Sequence, residues 1–287
     1  MVDSQLSPPS SGRKLFFGLF VFPLLIAVGM AVLLCTVVLL TREVETPEAL
    51  ITSIKTGAPS KRWQKAFELS NELNRDPGML RSDAVMKEVI HILTNRQEYD
   101  AKTRSYMAIA LSRFDDEEVS QALQRALADE TAEEVQLYLI WALGQTHETQ
   151  AARQIEGFLG SESEALKKMA SYVLGVLGDR QSAGPLADLL KDPSRDVRWN
   201  TAVALARLGS ADGVETLMKM MDRKSMSELE GLSEAKTEEI MVNAVKAAAL
   251  LQQSEIVPIL ENLSKNDPSL KVRQAAIAAL QEEKKPF

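Results

Sequence analysis

The chain has 287 residues, a formal charge of −7 and a single cysteine. Residues 1–40 carry Asp3, Arg13 and Lys14, a net +1, so the remainder holds −8. An acidic body lacks the basic footprint that displaces nucleic-acid counterions. A lone Cys35 excludes both a disulfide framework and a CxxC metal site.

Residues 1–14 form a short polar tail. Residues 15–40 are 26 residues without a charge. At about 1.5 Å per residue the run is ~39 Å long as a helix, enough to cross a ~30 Å hydrocarbon layer with some tilt. Pro23 kinks its first third, which membrane helices tolerate. A cleaved signal would be shorter and end in an A-x-A-like exit, whereas this run ends at Val37, Val38, Leu39 and Leu40. Leu33 and Leu34 before Cys35 also do not make a lipoprotein site. The expectation is one uncleaved span in a cell membrane, with the lipid bilayer as a partner. Arg13 and Lys14 before it against Arg42 after it favour a short tail inside and an extracytoplasmic domain.

Residues 41–58 connect to a first helix opened by Pro47, and residues 59–287 repeat one pattern. Leu69, Leu111, Leu143, Leu174, Leu205, Ala248 and Leu280 occupy its same point. From Leu111 to Leu205 the spacings are 32, 31 and 31, and Ala248 to Leu280 adds 32. Such a period means stacked helical hairpins, none able to bury its apolar face alone. Counting Val197 as position 0, positions 0, 4, 7, 8 and 11 point to one side at ~100° per residue. Val197, Thr201, Ala204, Leu205 and Leu208 fill them in one repeat, and small residues recur at position 7. Thr131 with Glu134 and Ser161 with Glu164 have capping-box spacing. Asp192-Pro193 and Asp267-Pro268 read as helix starts. The predicted fold class is all-α: an α-solenoid of about six to seven hairpins behind one transmembrane helix.

The segments VRWNTAVALARLG (197–209), LKKMASYVLGVLG (166–178) and VRQAAIAAL (272–280) resemble the short HEAT-like repeats related to phycobilisome lyases. The resemblance covers about residues 47–283. It implies that the arginine at position 1, here Arg104, Arg198 and Arg273, bonds an acid of the adjoining turn and builds a ladder. Asp192 and Asp267 precede Arg198 and Arg273 by six residues, and Glu98 precedes Arg104 likewise. Gln136, Lys167 and Met241 break the pattern, so the ladder is expected to be interrupted.

Two spacings are long, 42 from Leu69 to Leu111 and 43 from Leu205 to Ala248. The second excess is an insertion at 223–236 holding Glu228, Glu230 and Glu234. It is either a binding element on one face of the solenoid or a tolerated surface loop. Trp63 and Trp199 lie at position 2, and Trp141 and Tyr172 at position 6, nearly opposite the core side. In such solenoids second helices usually line the concave surface. These rings therefore either form a partner-binding strip or finish the packing between neighbouring helices.

Chemistry finds little support. No Walker, G-x-S-x-G or H-E-x-x-H motif occurs. His147-Glu148 is the one HE pair, and His91 is followed by Ile92, so the several HE pairs of the HEAT-like di-iron hydroxylases are missing. Asp115, Asp116, Glu117 and Glu118 lack calcium-loop spacing and read as the acidic start of a helix. The reading is a non-enzymatic, membrane-anchored scaffold that docks another protein, part of a membrane complex. It has no cofactor, no metal and no small-molecule substrate. A HEAT-like lyase or metal hydroxylase, and a self-associating spacer, are the alternatives.

Overall fold

A computed structural model describes residues 16–40, 45–75, 78 and 82–282. They divide into two units, Met1–Thr46 and Pro47–Phe287. The first unit contains α1 (Phe22–Leu40), entered through a π-helical turn at Phe17–Val21. Pro23 has no N–H and its ring crowds the preceding turn, and the wider turn relieves both. Phe17–Val37 is long and apolar enough to cross a membrane by length and composition. Residues 1–15 and 41–44, which include the flanking Arg13, Lys14 and Arg42, lie outside the described residues.

The second unit is a row of hairpins. They are α2 (Pro47–Thr56) with α3 (Pro59–Arg75), α4 (Asp83–Thr94) with α5 (Ala101–Leu111), and α6 (Glu117–Asp129) with α7 (Glu133–Gln145). The next two pairs are α8 (Ala152–Glu156) with α9 (Glu164–Leu177), and α10 (Ala183–Asp188) with α11 (Arg195–Arg207). The last are α12 (Val214–Met221) with α14 (Glu234–Ala249), interrupted by α13 (Arg223–Ser227), and α15 (Val257–Asn266) with α16 (Leu270–Glu282). No strand occurs among the described residues. The helices α8 and α10 are single turns flanked by 3-10 turns at Thr149–Ala151, Gly157–Gly160, Arg180–Ser182 and Leu189–Lys191. Gly157, Gly160, Gly184 and Pro185 account for these breaks in what the periodicity reads as continuous helices.

Each second helix packs on the next, from α3 through α5, α7, α9, α11 and α14 to α16. Six of the seven anchors do as the period requires: Leu69, Leu111, Leu143, Leu174, Leu205 and Ala248 are at most 1 % exposed, while Leu280 on the last helix is only partly buried, with no following hairpin among the described residues to cover it. The small positions permit close approach. A Cβ added to Gly175 on α9 would lie 2.8 Å from the Ala204 Cα on α11. The contact of α11 with α14 is the thinnest in the row, and there the core parts into one cluster reaching Leu208 and a second opening at Ala202.

The turns differ from the sequence expectation. Ala132, with no capping side chain, starts α7, and the Glu130 carboxylate instead accepts the Thr131 and Ala132 amides at 3.0 and 2.9 Å. Ser163 rather than Ser161 caps α9 by accepting from Leu166 N–H. Asp192-Pro193 and Asp267-Pro268 lie before their helices. Their carboxylates accept Ser194 N–H and Ser269 N–H at 2.8 and 2.9 Å, and the helices start at Arg195 and Leu270. The side chain two residues after each acid completes the cap, because Ser194 and Ser269 can reach the amide three residues on.

His147 and Gln252 have φ of 56° and 49°. They stand four residues after Leu143 and Ala248, where Gly178 and Gly209 stand after Leu174 and Leu205 with φ of 75°. The slot needs a left-handed residue to end the helix. His147 is exposed and spent on that turn. Asp116 caps α6 by accepting from Glu118 N–H at 2.7 Å, as a helix start should.

Candidate functional site

The surface of interest is built from positions 3 and 6 of the second helices, which face away from the first-helix row. On α7 these are Tyr138 and Trp141, on α5 Tyr106 and Ile109, and on α9 Met169 and Tyr172. Phe67 at position 6 of α3 stacks edge-on against Tyr106 at 5.3 Å. Phe67, Tyr138 and Tyr172 are 45, 36 and 38 % exposed, while Trp141 and Trp199 are half-buried against the core. Neither tryptophan is sealed inside. Each is partly exposed while the rest of it packs.

Between α5, α7 and α9 lies an open groove of about 500 Å³. Ile109, Leu137, Tyr138, Trp141 and Met169 line it, and Glu133 and Glu134 form its rim at the start of α7. Of the four aromatics singled out in the sequence, Trp141 alone lines this groove. Tyr172 and Trp199 stand on the next two second helices, and Trp63 stands two helices before Trp141 in the row. Tyr106, Tyr138, Phe67 and Met169 were missed. The available signal was position 3, which holds Tyr106, Tyr138 and Met169 in three successive repeats.

Cations cover the other three of those four rings. Lys102 Nζ sits 3.4 Å from the Trp63 centroid, Arg207 lies 5.1 Å from Tyr172, and Arg195 lies 5.4 Å from Trp199. No cation covers Trp141 among the described residues.

Acid–base rungs run beside the turns, but not between the partners expected. Arg198 donates to the Asp192 and Pro193 carbonyls at 2.6 and 2.9 Å, and Arg273 donates to those of Asp267 and Pro268 at 2.6 and 3.1 Å. Each arginine thus ties the backbone of its own turn. The acid side chain is held by a cation from earlier in the chain: Glu130 by Arg104, Asp192 by Lys167, and Asp267 by Arg223. The reason is geometric: one oxygen of each carboxylate accepts amides of its own turn, and the other oxygen meets the cation of the preceding hairpin, with Arg223 also sharing the Asp267 Oδ1 that Ser269 N–H uses. Lys167 therefore makes a rung rather than breaking one. Met241 has no cation to offer, and Arg223 from the insertion supplies it instead, through Nε and Nη2 at 2.9 and 2.8 Å.

Burial pushes Glu130 and Asp192 up. Hydrogen bonds from Arg104 and from Lys167, with those of the turn amides, outweigh it and hold both carboxyls below their ordinary range. The Asp267 hydrogen bond raises Arg223, so that guanidinium stays charged.

The insertion is neither a free loop nor wholly committed. Met226 is 1 % exposed and belongs to the core, and Arg223 ties Glu234 at 2.6 Å. Glu228 and Glu230 remain exposed. His91 and His147 are both exposed and lie in α4 and beyond α7. No cluster of three or more His, Cys, Asp or Glu suited to a metal occurs among the described residues.

Comparison with known proteins agrees on architecture. The family model described as HEAT repeats matches residues 153–231, and that described as HEAT repeat matches residues 256–282. No curated protein matches by sequence. The complex of CpcE and CpcF of phycocyanin lyase from Nostoc sp. PCC7120 is similar in structure. Its TM-score is 0.57 at 15 % identity, covering 85 % of this chain and 90 % of that one. Human deoxyhypusine hydroxylase in complex with glycerol matches at TM-score 0.35 and 17 % identity, over 82 % of this chain and 88 % of that one. A designed armadillo repeat protein in complex with peptide (KR)4 matches at 0.44 and 17 %, over 83 % and 99 %. Residues 153–231 and 256–282 thus carry HEAT repeats by their sequence, and the whole row of stacked hairpins shares its fold with the phycocyanin lyase structure.

Proposed function

We infer that the protein is a membrane-anchored adapter, holding its solenoid beside the bilayer to dock another protein on the second-helix face. The observation that carries this reading is the open apolar groove on that face, with Trp141 in its wall and exposed Tyr138 at its side. Half-buried aromatics with one wet edge are the side chains that dominate binding energy at interfaces. The apolar Phe17–Val37 helix supports the anchor, and the charge bias around it supports an extracytoplasmic solenoid. Confinement to a membrane favours a partner that is itself in a membrane complex. Trp141, Tyr172, Trp199 and Trp63 act as contact residues in this reading, and the exposed Glu228 and Glu230 of the insertion serve as a clamp.

A photo-reactive phenylalanine analogue at Tyr138, cross-linked in native membranes, should capture one protein. Capture should vanish in the Trp141→Ala, Tyr172→Ala, Trp199→Ala triple variant. Trp141→Ala alone should weaken the complex by about 2 kcal/mol, or roughly 30-fold. Capture unaffected by the triple substitution would remove the aromatic face from the interface. Stoichiometric iron or a bound chromophore in the purified protein would refute the non-enzymatic assignment. Side-specific labelling of a cysteine added to the solenoid decides the orientation.

A further inference from the structure

We propose that the groove beside α7 takes a basic side chain, Lys or Arg, carried next to an apolar residue on a peptide segment of the partner. This rests on the adapter reading and names what that face recognises. The pattern of covered rings leads to it. Trp63, Tyr172 and Trp199 each have a cation of this chain against the ring. Trp141 and its neighbour Tyr138 have none among the described residues, although both line the open groove on the same face.

An indole face beside a partly dry groove attracts a cation through its quadrupole, more strongly as water is excluded. The rim adds charge of the right sign. Glu133 accepts from Ser163 Oγ at 2.8 Å, and Glu134 has no hydrogen-bond or ion-pair partner among the described residues. Both carboxylates open α7, about two turns before Trp141, on the rim of the same groove. Ile109, Leu137 and Met169 complete the floor, where the methylene stem of the basic residue or its apolar neighbour loses water. An acidic segment would meet two uncompensated carboxylates, and a purely apolar one would leave the rim unpaired.

The test uses the full chain in detergent micelles, with short random-sequence peptides displayed on phage and selected against it. Peptides released by competition with the Trp141→Leu variant are set aside, and those that depend on Trp141 are sequenced and synthesised. The expected result is enrichment of Lys or Arg beside an apolar residue. Binding should weaken about tenfold or more in a Glu133→Gln, Glu134→Gln variant and by a similar factor when norleucine replaces the peptide's Lys. Added salt should also weaken it. Trp141-dependent peptides without basic enrichment, indifferent to the two glutamine changes, would overturn the proposal while leaving the adapter reading intact. Failure to select any Trp141-dependent peptide also overturns it. Partner capture from Tyr138 then decides the adapter reading separately.

Discussion

Replacing Arg223 by alanine removes the two donors that reach Asp267 and the contact to Glu234. The Asp267 side chain is 1 % exposed and Arg223 21 %. What remains on the carboxylate is one amide, Ser269 N–H at 2.9 Å. Breaking a buried pair by deleting one partner costs about 3–5 kcal/mol, most of it the stranded charge. Water entering the fifth of Arg223 that is already exposed reduces this, and about 2–3 kcal/mol is expected. Glu234→Ala is the control: that carboxylate is 72 % exposed, and losing it should cost less than about 1 kcal/mol. Adding Asp267→Asn to Arg223→Ala should recover most of the loss, because the charge goes with its partner. Urea titration of the full chain in detergent measures the sum. Hydrogen exchange gives the location, since repeat stability is a sum of neighbour terms. Protection should fall across residues 256–282 and hold across 47–177. Equal midpoints for the Arg223 and Glu234 variants, or an even loss of protection along the array, would refute the reasoning.

Gly175→Ala should destabilise by about 1 kcal/mol in the same titration, because a contact 2.8 Å from the Ala204 Cα outweighs the gain in helix propensity. Gly157→Ala, with nothing within 4 Å, should be neutral or stabilising by a few tenths of a kcal/mol. His147→Gly should raise stability by about 1 kcal/mol by relieving a left-handed histidine, an outcome a ligand role would not give. Glu130 and Asp192 have lowered folded pKa values, so their contribution is complete above the ordinary carboxylate range and is lost as pH falls through ~4 and below. Glu130→Gln should be less stable at neutral pH and show a shallower acid decline.

The period and the identity of the core were legible because apolar anchors recur at one spacing, and Leu143, Leu174 and Leu205 are sealed where the pattern places them. Helix starts were less so. Thr131 has the spacing of a cap, but Glu130 reaches its amides first, and a linear pattern cannot rank two competing acceptors. The rungs illustrate the same limit. Asp192 and Arg198 are six apart and do meet, yet at a carbonyl, while the carboxylate goes to Lys167, 25 residues earlier. Charge pairing between repeats depends on which oxygen is already in use. Arg223 was hidden among the polar residues of the insertion, and its tie to Asp267 spans 44 residues. Trp141 was legible as an outward residue. The groove beside it was not, since it needs Ile109 and Met169 from helices on either side.

The forward-reaching cations also divide the row into segments. The joins after α3, α5, α9 and α14 are crossed by ion pairs, from Lys55 to Glu88, Arg104 to Glu130, Lys167 to Asp192 and Arg223 to Asp267. Those after α7 and α11 are crossed by none among the described residues, because Gln136 and Arg198 tie only their own turns. Residues 147–209 therefore form a cassette whose excision or duplication breaks no ion pair among the described residues, the Ser163–Glu133 hydrogen bond being the charged contact it would lose. A deletion that began one hairpin later would separate Lys167 from Asp192.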